Sequence, residues 1–427
     1  MSAVLSKNPV PLRLPHLAPE IWLSVFQFAT YVPGEQDLDI DDPFNLDAPV
    51  PGHSFLHSLR RQQSDLRTAL RTKRRLVRVC KYWHMLVTPF LYRSVYIGYP
   101  RTVTVLRLTL RDSQRSANAS NTCTLGAQIR RLDLALCTPF KSQDDVDVLA
   151  DLFQYMPNLQ LFAVGRGCSM PEGPSWELVY RNLGNFCGPS IRGLSWDWKT
   201  VNDRPPVHEG VLKLISKCPY LQYLHPPVVI PFLPFLTPDV VLSDVTCLTL
   251  IPRRPTPSTT TLIHCHNARK AVSMIFINYE FETTFSLTSL APVTALFVFC
   301  ANAAVWPHFQ LGVLRHMLSL EHVIVALPDD MLLMPTTIFQ DLLPSVTHLG
   351  LQHQKNQYPD ECYRWLFRVL GDIRSPTLKV VRFLNSRAFE DLRYRHRRTL
   401  RQCLGLLQMH QKNFRLEDPF GQEVTCE

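Results

Sequence analysis

The chain has twelve cysteines but no CxxC pair and no regular cysteine spacing. That removes zinc ribbons, redox pairs and a secreted disulfide framework, leaving reduced thiols in an intracellular (cytoplasmic or nuclear) protein as the expectation. The first residues, MSAVLSKNPVPLRLPHL, show no basic region leading into an apolar stretch, so no secretory signal is read there. GxSxG, a phosphate-binding glycine loop, HExxH and a strand-linked GxGxxG are all missing, and no catalytic residue, metal or cofactor is expected. His264, Cys265 and His266 offer two histidines on one face of a strand but no second pair at metal spacing, which favours hydrogen-bonded strand histidines. Trp176, Trp196 and Trp198 read as core aromatics. Acidic and basic residues are absent from 283–309, but Pro292 and Asn302 interrupt it. VTALFVFC is β-branched and aromatic, so buried strands are expected in place of a membrane span.

What is present is a chain of 427 residues, 46% hydrophobic, enough for a sizeable core and two or more domains. Its net charge of +9 is concentrated: residues 60–81 carry +8, 35–47 carry −6, 387–415 carry +6, and the rest is nearly neutral. An acidic loop beside a basic helix is most simply a self-neutralising solvated pair. Binding of nucleic acid by 60–81 and 387–415 is the sharper alternative, but neither aromatic interleaving nor an RNP-like motif accompanies the basic residues.

Two N-terminal stretches read as helices. Residues 19–29 begin with Pro19 and Glu20, suited to a first turn, stop at Pro33-Gly34, and are apolar almost all round. In 76–88, Leu76, Val77, Val79, Cys80, Trp83, Leu86 and Val87 recur at helical spacing and Pro89 is expected to end the pattern. Ser64 and Asp65 are expected to cap one long helix reaching about residue 88, and 31–63 to be an acidic surface loop. Two short helices cannot hide so many large side chains from each other, so part of this surface needs a partner.

LPHLAPEIWLSVFQFA followed by LVRVCKYWHMLVTPFLYRSV resembles an F-box, with matching positions Leu14, Pro19, Glu20, Ile21, Val25 and Phe26, then Leu76, Val79, Cys80, Trp83 and Leu86. The 31–63 insertion between the halves departs from the usual F-box. The resemblance covers 14–97 and implies docking of those residues on the Skp-type adaptor of a cullin-RING ubiquitin ligase.

From residue 102 a cue recurs: a proline with apolar residues two and five positions on. It is seen at Pro157 (Leu159, Phe162), Pro189 (Ile191, Leu194), Pro219 (Leu221, Leu224), Pro344 (Val346, Leu349) and Pro376 (Leu378, Val381). Weaker copies pair Ile129 with Leu132, Val245 with Leu248, Val272 with Ile275, Val293 with Leu296, and Leu320 with Val323. The proline is expected to end a helix and occupy the first residue of a strand. Helices are expected at 144–156, 209–217, 309–318, 336–343, 360–370 and 386–412. Helix, proline, strand, repeated, resembles an irregular leucine-rich-repeat solenoid, with an ordinary α/β domain as the alternative. The expected organisation is an all-helical 14–97 with an acidic insertion near 31–63, an α/β solenoid over 98–385, and a capping helix and tail over 386–427.

The resulting expectation is a non-catalytic substrate receptor, bound to the adaptor and through it to cullin, holding a target protein on the solenoid without membrane or cofactor. Strand alternation suggests Phe276, Phe297, Phe299 and Ile324 as an exposed target-binding patch, extended by Tyr223 and Tyr279.

Overall fold

The computed structural model describes residues 17–32, 35, 53–120, 123–138, 140–165, 175–196, 208–225, 247–250, 271–276, 294–300, 317–327, 331–333, 339, 344–353, 355–409 and 412–425. The chain is α/β, and its described strands join one twelve-stranded sheet in chain order. The strands are β1 Ser94–Ile97, β2 Arg131–Leu134, β3 Leu161–Val164, β4 Gly193–Trp196, β5 Tyr223–His225 and β6 Cys247–Leu250. They continue as β7 Ala271–Phe276, β8 Ala295–Cys300, β9 His322–Leu327, β10 His348–His353, β11 Val380–Phe383 and β12 Arg415–Glu417. Every adjacent pair is parallel, which requires a crossover between strands. The helices are α1 Pro19–Ala29, α2 His53–Leu76, α3 Lys81–Arg93, α4 Pro100–Ser120, α5 Gln143–Leu152, α6 Ser175–Cys187, α7 His208–Ile215, α8 Asp360–Gly371, α9 Ser386–Glu390 and α10 Arg397–Met409. None among the described residues is long and apolar enough to cross a membrane.

One row of strand positions runs through the sheet in register: Val95, Leu132, Phe162, Leu194, Leu224, Leu248, Val272, Leu296, Val323, Leu349, Val381 and Leu416. Phe153 packs on it, meeting Phe162 edge-on at 5.5 Å, and two residues further along β4 Tyr180 of α6 meets Trp196 at 6.3 Å. Nine of the ten repeat cues place this row correctly. The exception is β7, where Val272 holds the position expected for Ile275. A slip of three residues is odd, so it exchanges the two faces of the strand.

The five prolines sit in turns, and each strand starts four residues after them, at 161, 193, 223, 348 and 380. The expectation of a strand-initial proline is therefore corrected. The turns need every N–H they have: Gln160 and Leu161 both donate to the Arg130 carbonyl, Arg192 and Gly193 to Gln160, and Lys379 and Val380 to Thr347. The residue after the proline adds a side-chain tie to the preceding unit: Asn158 to the Ala127 carbonyl (2.9 Å), Ser190 to Leu159 (2.8 Å) and Thr377 to Val346 (3.1 Å). Gly126 lies so near the following unit that a Cβ there would be 1.9 Å from the Tyr155 carbonyl oxygen. Gly126→Ala is accordingly expected to cost about 3 kcal/mol, as overpacking against backbone, measured by urea unfolding.

At the N-terminal end, α1 spans the expected residues, but the long helix expected over 64–88 is two. Cys80 has extended backbone and its Sγ accepts from the Trp83 N–H at 3.4 Å, capping a new helix. Pro89 does not end that helix; α3 continues through it to Arg93. α2 starts at His53, inside the stretch expected to be loop, and buries Gln63, Leu66, Ala69 and Lys73 at helical spacing. Two polar members of that stripe hid it from a hydrophobicity reading. Strand β1, within 14–97, is an edge of the sheet, so the region is not all-helical; α4 and α6 are also additions to the expected elements.

At the other end, 386–412 divides into α9, a π-helical turn over Asp391–Arg395, and α10, and the chain returns to the sheet as β12. On β10, His353 is buried between Phe383 (5.6 Å, stacked) and Tyr358 (5.3 Å), with no hydrogen-bond partner for either ring nitrogen among the described residues. Burial pulls its pKa down to about 4. The unfolded chain, titrating near 6.5, takes up this proton first, so stability is full above about pH 6.5 and falls as pH drops towards 4. Urea unfolding at pH 7 and pH 5 is expected to differ by about 2 kcal/mol from this residue, a difference that His353→Phe removes.

Candidate functional site

Trp22 and Phe26, one turn apart on α1, close on Trp83 of α3 with ring centroids 4.8 Å from it in each case. Phe26 is thereby only 1% exposed. Its expected place in a docking surface is corrected: it holds α1 to α3, and half-buried Trp83 shares that duty. Leu76 and Leu86 are half-buried, Cys80 is the cap described above, and Leu14 lies outside the described residues.

The opposite face of α1 is open. Ile21, Val25 and Phe28, at positions i, i+4 and i+7, are exposed, Phe28 to 87%. Pro19 is exposed beside them. Val79, in the turn before α3, and Tyr82 and Met85, in its first two turns, are exposed as well, Met85 to 64%. Of these, Phe28, Tyr82 and Met85 escaped the motif match; their signal was position on a face that the aromatic cluster leaves free. α1, the turn before α3 and the first residues of α3 thus present six exposed apolar side chains beside the Trp22–Phe26–Trp83 cluster.

The proposed target patch fares differently. The Ile324 side chain is 2% exposed, so it is core and not surface. Backbone register pairs position 297 with 273 and 324, whereas 276 pairs with 300, so strand position 276 is out of phase with 297 and 324. The side chains of Phe276, Phe297 and Phe299, together with Tyr279, His264, His266 and Trp198, lie outside the described residues. Tyr223 is buried, as are Trp176 and Trp196, the last two as expected.

The second sheet face is buried at its N-terminal end also. Arg131 and Asp133, alternate residues of β2, face each other there in a two-pronged ion pair, Nε to Oδ2 at 2.6 Å and Nη2 to Oδ1 at 3.0 Å. Arg131 Nη1 donates to the Glu35 carbonyl at 3.1 Å, and the Glu35 carboxylate takes Lys73 Nζ of α2 at 3.3 Å. Gln63 of α2 occupies the space against Gly165, where a Cβ would come within 2.8 Å of it. The acidic–basic pairing expected to be solvated is therefore internal at Glu35–Lys73, and it fastens α2 to the sheet. Arg67, Arg71, Arg74, Arg75, Arg78 and Lys81 remain exposed.

The described cysteines are free thiols, and no group of metal-ligating side chains occurs among the described residues. Burial pushes the Cys218 thiol up to about 12 and the Cys403 thiol up to about 11, and raises Cys187 further, which keeps all three protonated and unreactive at neutral pH. Comparison with models of protein families gives no match, and comparison with curated proteins gives none either.

Proposed function

We propose that the chain is a non-catalytic substrate receptor of a cullin-RING ubiquitin ligase, with α1 and α3 as an F-box docking on a Skp-type adaptor. The observation that carries this is the exposed apolar face of Ile21, Val25 and Phe28 with Val79, Tyr82 and Met85. Soluble proteins seldom leave such a face without a partner. In this reading residues 98–385, with parallel strands in chain order and repeated turn ladders, are an irregular leucine-rich-repeat solenoid. The solenoid holds a target protein near the ubiquitin-charged enzyme, and other subunits supply the chemistry.

The buried Arg131–Glu35–Lys73 contacts give the arrangement rigidity, since they fasten the α2 insertion to the sheet and so limit rocking between docking helices and solenoid. Co-expression with a Skp-type adaptor tests the reading. The two chains are expected to co-elute, and to remain together from about 0.1 to 0.5 M salt, because apolar burial is not screened. Binding to nucleic acid through the exposed arginines of α2 would instead weaken steeply over that range.

A further inference from the structure

At the C-terminal end, α9, the π turn, α10 and residues 418–425 enclose a cleft of 440 Å³. Arg393, Arg397 and Arg401 line one wall at intervals of four residues. The neighbouring Arg364, Arg382, Arg395 and Arg415 all pair with carboxylates, but these three pair with none among the described residues. Arg397 also opens α10, where the helix dipole is positive and basic side chains are unfavourable.

The wall is built rather than loose. A π turn inserts an extra residue into a helix and redirects the helical turns after it. Here it is pinned by Tyr363, whose hydroxyl lies 3.2 Å from Asp391 Oδ2 and 3.1 Å from the Ala388 carbonyl oxygen, either of which can accept its single proton. His396 Nδ1 lies 3.1 Å from Asp360, which Thr399 also contacts. The floor is apolar, from Phe389, Leu400 and Leu404. The facing wall has Glu423, exposed, and Asp418, whose Oδ1 is already held by the Phe420 and Gln422 N–H groups.

We propose that this cleft binds an acidic segment of a partner protein, with Arg393, Arg397 and Arg401 taking its Asp or Glu carboxylates. A peptide brings carboxylates for the arginines, backbone N–H donors for Glu423 on the facing wall, and side-chain carbon for the floor. A phosphodiester strand brings no backbone donor and meets a repelling carboxylate. The cleft is also of a size for a few side chains, not for a long charged track. Identifying the partner with the ligase target rests on the receptor reading; the binding itself does not.

The test is fluorescence anisotropy of labelled decaglutamate with the full chain, without adaptor. Compared are the wild type, R393Q/R397Q/R401Q, and R181Q/R192Q/R368Q, a control with the same charge change at exposed sites outside the cleft. The cleft variant is expected to bind about tenfold or more weakly at unchanged melting temperature, and the control within about twofold of wild type. Should the triple variant melt early, R397Q alone is expected to weaken binding by about threefold. Equal losses in both triple variants, no decaglutamate binding by the wild type, or equally tight and equally cleft-dependent binding of labelled decathymidylate would each overturn the proposal. Adaptor co-elution is read separately and is expected to be unchanged by the cleft substitutions, so failure of one reading is distinguishable from failure of the other.

Discussion

Replacing Asp133 by Ala is expected to destabilise the protein by about 3–5 kcal/mol, the usual consequence of breaking a buried ion pair from one side. Both side chains are 1% exposed, and the carboxylate receives two guanidinium hydrogen bonds at 2.6 and 3.0 Å. Removing it leaves a buried cation on β2 without the carboxylate that neutralises it. The lesion reaches further than β2, because the same guanidinium donates to the Glu35 carbonyl and Glu35 in turn holds Lys73 on α2. Loss of protection from hydrogen exchange is therefore expected in α2 as well as in β1–β3. Arg131→Met with Asp133→Leu removes both charges together and is expected to recover most of the stability, since apolar replacement of a whole buried pair is often neutral. An Asp133→Ala loss under about 1 kcal/mol by urea unfolding would show that the pair is not desolvated.

The second large effect concerns docking. Ile21→Asp with Phe28→Asp is expected to reduce adaptor affinity by about a hundredfold or more, each residue acting as an interface anchor. Both side chains are exposed, Phe28 to 87%, so the melting temperature is expected to stay within about a degree or two of wild type. Trp83→Ala is expected to behave in the opposite way, because Trp83 supports Trp22 and Phe26: a folding loss of about 3 kcal/mol, with any loss of binding secondary to it. Affinity measured by surface plasmon resonance, alongside thermal melts, separates the two classes. Undiminished binding by the Asp pair would remove α1 from the interface.

Much of the parallel strand succession was legible because each strand needs one large apolar residue at the same depth, and a proline five residues earlier marks five of those positions. The row from Leu132 to Val381 follows from that requirement. It failed at β7, where AVSMIF offers apolar residues in both phases, so a spacing cue alone could not choose between Val272 and Ile275. Burial of Ile324 takes that residue out of the expected patch, whereas the side chains of Phe276, Phe297 and Phe299 lie outside the described residues.

Helix α2 was hidden for a different reason. Its buried stripe contains Gln63 and Lys73, polar residues that enter the interior because Gly165 leaves room for one and Glu35 pairs with the other. Partners some forty to a hundred residues away are not visible in a local window. Pro89 illustrates the limit of a breaker rule, since a helix already packed through Val87 and Trp83 carries the proline without ending. The docking face was half legible: composition required surplus apolar surface, but only the packing of Trp22, Phe26 and Trp83 shows that Phe28 and Met85 point away from it.

Isothermal titration of the purified chain with a Skp-type adaptor, at two temperatures, tests most directly whether the exposed face of α1 and α3 is an adaptor site. The expected result is a one-to-one complex with a dissociation constant of about 1 μM or tighter and a negative heat-capacity change, the signature of apolar burial. Absence of a complex at about 100 μM of each chain, or a binding heat whose heat-capacity change is near zero and whose affinity collapses with salt, would contradict it.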